Sequence, residues 1–415
     1  MNVRGARSAV AEGARDISSG ALGMKVFLAA LGPMVTVPAI RRLVVDVHGG
    51  SPSSMHVFVA VGMMGGALGA PLVAAKADAR GNHVRVAALL ALVDAGVQFA
   101  TSSAIPTALV FVLRPIHGLA SMGLLALLFS ELRRSGKSTI AYIGAAMIAA
   151  LALGPAIGGI LSKVGPVAPF RMAAAISALL ACTLGVRTAF SPSANRPRIG
   201  MRRESMWETA KPIAAPLWVA ASQRFAIGGL VSAFAVQARA VHGISDARVG
   251  AYFSTLLVAF AIAMMLIGRS SETKTQTTFV PAGAVLFAAA FVALAFGPTR
   301  LLPVALVAAG LGSAAVYAPC LALVSAVSSE RTRATSMALL HSAGAIGMSL
   351  GPLLAAGVDV AMHRYPLPIR CATFMAFAGI AHAIIAVALA PRLVALAAAP
   401  TPNKMSRDEG ALGTP

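Results

Sequence analysis

Twelve apolar runs, each about twenty residues long, take up most of this 415-residue chain. They lie at about 26–45, 55–75, 84–104, 106–130, 139–161, 170–190, 212–236, 249–268, 278–297, 301–327, 334–358 and 371–391. A helix rises about 1.5 Å per residue, so each run can cross the roughly 30 Å of hydrocarbon in a bilayer. Lipid offers no partner to a backbone amide, which leaves only helices and closed barrels as spanning structures. A barrel is excluded here. Its strands alternate apolar and polar residues, whereas these runs are apolar on every side and rich in Ala, Leu and Gly. The expectation is an all-α integral membrane protein with twelve transmembrane helices. Charged residues make up only 12% of the chain, against about 25% in soluble domains, which disfavours a soluble enzyme or a disordered chain.

The formal net charge is +20, from 34 Lys and Arg against 14 Asp and Glu. In a soluble protein that excess would suggest nucleic acid. With twelve spans both termini share one side of the membrane. That side receives twenty-three of the basic residues, the other side nine, and Arg114 and Arg224 fall inside spans. The positive-inside rule then places both termini in the cytoplasm, in the inner membrane of the cell. The charge is mostly topological, the bilayer is its partner, and no nucleic acid is required. The first run contains Pro33 and Pro38 and is followed by many similar runs, unlike a cleaved signal peptide. Cys182, Cys320 and Cys371 form no spaced cluster, so neither a metal site nor a disulfide framework is expected. No nucleophile–base pair or metal cluster marks an enzyme or calls for a cofactor.

The two halves of the chain echo each other. Ser130-Glu131 and Ser329-Glu330 are 199 residues apart, Gly154-Pro155 and Gly351-Pro352 are 197 apart, and Asp78 and Glu272 are 194 apart. Three anchors at nearly one offset point to a duplication, a building plan of transporters. The halves cover 26–190 and 212–392. Between them lies a polar, Pro- and Arg-containing cytoplasmic link, 191–211, near which Trp207-Glu208 reads as a weak amphipathic stretch at the headgroups. Tails cover 1–25 and 393–415.

On these residues the chain resembles the major facilitator superfamily. The loop Ala74-Ala75-Lys76-Ala77-Asp78-Ala79-Arg80-Gly81-Asn82-His83 is similar to the family's Gly-x-x-x-Asp-Arg-x-Gly-Arg-Arg loop. It keeps Asp78 and Gly81, with Arg80 a partial substitute for the missing basic residues. Gly268 and Glu272 are its echo in the second half. Arg114-Pro115-Ile116-His117-Gly118 is similar to the family's Arg-x-x-Gln-Gly, with His117 in place of Gln. Gly154-Pro155-Ala156-Ile157-Gly158-Gly159 resembles the Gly-Pro-x-x-Gly-Gly core of the twelve-span drug or metabolite:proton antiporter branch. Physically, Pro155 lacks an N–H and favours a bend, and glycines permit close helix contact. Gly351-Pro352 repeats the dipeptide. The resemblance implies two six-helix halves acting as a monomer by alternating access, with efflux of a small organic molecule driven by the proton gradient. A nutrient importer or uniporter on the same fold is the alternative, and a non-transporting membrane sensor a more distant one.

Ionisable groups within the hydrocarbon are costly and face a cavity or a partner. Asp94 lies near the middle of the third run and Arg114 at similar depth in the fourth, about 15 Å and about 12 Å in at 1.5 Å per residue. Gln98 shares the face of Asp94, and His117 that of Arg114. Asp94 is therefore either a protonatable coupling site governed by Arg114 or half of a static ion pair. The family more often places a coupling acid in span 1 or 4, and span 1 here has none. Arg224 in the seventh run, beside Gln223, is either a cavity cation for an anionic or carbonyl-bearing substrate or a charge satisfied by the protein. By family position and polarity, Met34, Thr36, Ser121, Gln237, Ser313 and Tyr317 complete the expected cavity lining. His341 and His382, in the last two runs, are expected to support the bundle.

Overall fold

A computed structural model describes residues 3–80, 83–130, 137–190, 206–268, 276–328 and 333–399. Its regular structure among these residues is entirely helical. Twelve long helices are found: α1 (Val3–Thr36), α2 (Pro52–Arg80), α3 (His83–Thr101), α4 (Thr107–Ser130), α5 (Lys137–Leu161), α6 (Ala168–Phe190), α7 (Ala214–His242), α8 (Asp246–Gly268), α9 (Phe279–Phe296), α10 (Leu302–Val327), α11 (Arg333–Ala361) and α12 (Leu367–Ala398). Each overlaps one of the twelve apolar runs; α1 differs most, beginning within the expected tail and ending at Thr36, so that the rest of the first run lies in a 3-10 and a π-helical turn. Over their described residues ten meet the length and hydropathy needed to cross a bilayer. The others are α5, with the apolar stretch Ala146–Leu161, and the 29-residue α2.

Burial runs opposite to a water-soluble bundle. The positions packed inside are largely small, such as Ala91, Ala120, Ala150, Ala226, Ala309 and Ala378, while Leu92, Phe99, Leu179 and Ile384 are more than half exposed on helix surfaces. In water such apolar exposure would drive aggregation; against lipid tails it costs nothing, and small residues let helix backbones approach.

The chain forms two compact units. Unit 1 comprises 1–43, 68–198 and 246–254; unit 2 comprises 44–67, 199–245 and 255–415. Helices α2 and α8 each pass from one unit to the other. In unit 1, α1 packs along α5, and α3 lies against both α4 and α6. Val26, Ala87, Leu124, Leu127 and Leu180 form its main apolar cluster. In unit 2, α7 packs along α11, and α9 lies against α10 and α12. Val219, Val280, Val316, Leu323 and Ala386 are buried between them.

Close backbone approach is made by glycines. In α5 a methyl group at Gly154 would strike Met34, and one at Gly158 would strike the carbonyl of Val35 on α1. In α11 the same holds for Gly347 against Ala221 and for Gly351 against Phe225, both on α7. Each pair is spaced by four residues, one helical turn, and the pairs are 193 residues apart. The duplicated packing is thus carried by these pairs. The Gly-Pro dipeptide recurs at 197, one turn out of step with them.

Candidate functional site

In unit 1, α3, α4 and α6 bring a polar cluster together inside apolar helices. Asp94, Gln98, Arg114, His117 and Ser177 are all buried. His117 Nδ1 lies 2.6 Å from Asp94 Oδ1, and Ser177 donates its hydroxyl to Oδ2 at 2.6 Å. Both carboxylate oxygens are thereby engaged. Arg114 sits one turn before His117 on α4 and is within electrostatic reach of Asp94. The sequence pointed to Arg114 as the group that governs Asp94. On α4, His117 is in direct hydrogen-bond contact with Asp94, because the α3–α4 register brings it opposite the carboxylate. Ser177 was not foreseen: a serine in an apolar run carries no distinguishing signal until α6 is packed on α3. Gln98 is buried one turn from Asp94, and its Nε2 has no hydrogen-bond partner among the described residues.

The remaining unit 1 residues are structural in their contacts. Ser121, one turn after His117, bonds back to the Gly118 carbonyl at 3.4 Å. Thr36 bonds to the Pro33 carbonyl at 2.8 Å at the end of α1, and Met34 faces Gly154. Gly159 and Pro155 meet the start of α8: a methyl at Gly159 would press on Asp246 and Ala247, and one at Gly250 would strike the Pro155 carbonyl. The motif residues Gly154, Gly158 and Gly159 therefore wedge α5 between α1 and the first turns of α8. At the end of α1 the chain passes through a 3-10 turn and a π-helical turn (Arg42–Val47). There Arg42 donates to the Ser162 carbonyl at 2.8 Å and pairs with Asp246 at 3.4 Å.

In unit 2, Arg224, Gln223, Ser313 and Tyr317 converge. Gln223 and Arg224 are adjacent on α7; Ser313 and Tyr317 are one turn apart on α10. Gln223 donates its amide to the Ser313 hydroxyl. The Arg224 guanidinium lies 4.5 Å from the centre of the Tyr317 ring. Gln237, expected in the same lining, lies elsewhere: its amide donates to the Ala295 carbonyl of α9 at 3.0 Å. His382 has a defined place in support of the bundle, with Nδ1 2.9 Å from the Ser222 hydroxyl and its ring edge-on to Phe287.

Unit 2 also holds a cluster at helix ends. Arg370 at the start of α12 pairs with Asp359 near the end of α11 at 2.5 Å, and Ser53 at the start of α2 donates to the other oxygen of Asp359. Buried His56 lines the same small cavity, with Cys371 and Phe374. Further along α2, Ser349 of α11 donates to the Ala60 carbonyl at 3.1 Å. Asp359 is an acid near a helix end, and its partners come from segments far apart in the chain. Of the expected conformational motif, Gly81 and Glu272 lie outside the described residues, as do the side chains of Asp78 and Arg80 and the surroundings of Gly268. Among the described residues no group of His, Cys, Asp or Glu is arranged to hold a metal ion.

The fold, with its polar centres within apolar helices, is that of a multi-pass helical membrane protein. The sequence model of the Major Facilitator Superfamily matches residues 217–412. The fold is shared with a bacterial homologue of the human lysosomal transporter Spinster, in an inward-facing and unoccupied conformation. That structure has 17% identity, a TM-score of 0.71, and coverage of 92% of this chain and 97% of the other. It is shared also with the human organic anion transporter MFSD10 (19% identity, 88% and 98% coverage, TM-score 0.65). A third is the nucleoside transporter NupG (14% identity, 92% and 99% coverage, TM-score 0.68). No curated protein matches the chain in sequence. The chain thus shares its fold with these transporters, and its second half matches the sequence model of the Major Facilitator Superfamily.

Proposed function

We propose that this protein is a proton-coupled secondary transporter that exports a small organic molecule by alternating access, with Asp94 as the proton-accepting group. The observation that carries the reading is the buried Asp94–His117–Ser177 cluster in α3, α4 and α6. An ionised carboxylate is costly among apolar helices unless its oxygens are bonded and a cation is near. Asp94 has two donors and Arg114 within reach. A proton arriving on Asp94 removes the charge that holds these donors, so the packing of α3 against α4 and α6 differs between the two protonation states. That difference is what allows a proton to bias one conformation over another. Export rather than import is supported by the Gly-Pro-x-x-Gly-Gly resemblance in α5 and its wedge between α1 and α8. The protein acts as a monomer in the cytoplasmic membrane, with both termini inside, in keeping with its 23-to-9 charge bias.

The test is transport into inverted vesicles carrying the full chain. A panel of toxic organic compounds should be taken up on imposing an acidic interior, and uptake should collapse with an uncoupler. Asp94→Asn should lower proton-driven uptake at least tenfold while leaving gradient-free exchange of the compound measurable. Undiminished proton-driven uptake in Asp94→Asn removes Asp94 from the coupling step. Accumulation only in right-side-out vesicles converts the reading to import.

A further inference from the structure

Four arginines within or beside the apolar helices of this protein lie near carboxylates. Arg42 pairs with Asp246, Arg239 with Asp46, and Arg370 with Asp359; Arg114 is coupled to Asp94. Arg224, well inside a helix, differs from these four: no described carboxylate pairs with it. It sits ten residues into α7, about 15 Å from the helix start at 1.5 Å per residue. Its surroundings are nevertheless built. The stem lies against α11 at Gly344, where a methyl group would come within 3.2 Å of Cγ. The guanidinium rests over the Tyr317 ring. The adjacent Gln223–Ser313 bond fixes α7 on α10 beside it. One turn before Gly344, His341 of α11 is close enough to feel the Arg224 charge, adding a second group able to donate a proton to an acceptor. Arg224 is only half-buried and His341 is exposed, so the pair is reachable.

A cation held on a ring at hydrocarbon depth, with no counter-ion among the described residues, is expensive unless something anionic visits it. We propose that Arg224, seated on Tyr317 and flanked by His341, is a recognition site for the oxyanion head group of the transported molecule, which is therefore a small organic anion. This substrate class rests on the transport reading above. The planar guanidinium suits bidentate pairing with a carboxylate or sulfonate, and the ring below it fixes the plane of the fork.

The proposal is tested by equilibrium binding to the purified full chain in detergent, with benzoate, p-toluenesulfonate, benzamide and benzylamine as probes. At least one of the two anions should bind at least tenfold more tightly than the amide or the amine. Arg224→Gln should weaken that binding at least tenfold, and Arg224→Lys should fall between, because an ammonium keeps the charge without the fork. Tyr317→Leu serves as a second variant should Arg224→Gln fail to fold; it should weaken anion binding and leave benzamide unaffected. Neither anion exceeding benzamide, or a folded Arg224→Gln retaining full anion affinity, overturns the proposal. Proton-driven transport of neutral or cationic compounds without anion binding rejects this site but not the transport reading. Anion binding without proton-driven transport supports the site while rejecting that reading.

Discussion

His117 on α4 places Nδ1 2.6 Å from Oδ1 of Asp94 on α3, and Ser177 on α6 closes the other oxygen at the same distance. One carboxylate thus ties three helices of unit 1 together. The family resemblance puts a glutamine where His117 stands, and a glutamine amide can also donate to Asp94. His117→Gln should therefore keep proton-driven transport within about threefold of the wild type. His117→Leu, which removes the donor to a buried charge, should cost about 2 kcal/mol of stability and lower transport at least tenfold. The comparison is made in the inverted-vesicle assay, with thermal melts in detergent as the stability measurement. Loss of coupling in a well-folded His117→Gln would show that the imidazole itself titrates during the cycle.

The contact between α5 and α1 at Gly158 is tight enough that a single methyl group matters. Its Cβ would fall on the Val35 carbonyl oxygen, so the two backbones must separate. Gly158→Ala should destabilise unit 1 by about 1–3 kcal/mol and impair transport. Gly96→Ala in α3 is the control. Nothing lies within 4 Å of a methyl there, and replacing a helical glycine with alanine should gain up to about 1 kcal/mol. Thermal melting of the two variants checks the pair; equal effects would remove the steric explanation.

Asp359 joins α11 to Arg370 of α12 and to Ser53 of α2. Asp359→Asn leaves Arg370, mostly buried, without its counter-ion and should cost about 3 kcal/mol. Ser53→Ala removes one donor and leaves the ion pair intact, so its cost should be nearer 1 kcal/mol. The double variant should be less destabilised than the sum, since both changes act on one carboxylate. Chemical denaturation of the four proteins in detergent gives the coupling; strict additivity would show that Ser53 does not act through Asp359.

Much of this architecture could be read along the chain. Each of the twelve apolar runs became a long helix because length and hydropathy alone decide what crosses a bilayer. Asp94, Arg114 and Arg224 stood out because charged residues are rare among apolar ones, and each has become part of a polar centre. Gly154, Gly158 and Gly159 were legible as a packing motif, and their contacts with α1 and α8 supply its physical reason. Serine, by contrast, is common in such helices, so Ser177 and Ser53 carried no signal. Gln237 was polar in the right helix but on a face that meets α9.

The sequence by itself determined the fold class, the number of long helices, the charge asymmetry of the loops and which residues are costly in lipid. These follow from local composition, which the bilayer reads span by span. Tertiary structure alone decided the partners: His117 in contact with Asp94, Tyr317 beneath Arg224, Arg370 and Ser53 on Asp359. Pairing depends on the rotation and register of helices far apart in the chain. In lipid that register is set by small-residue packing between neighbours, which the hydropathy of a single run does not encode.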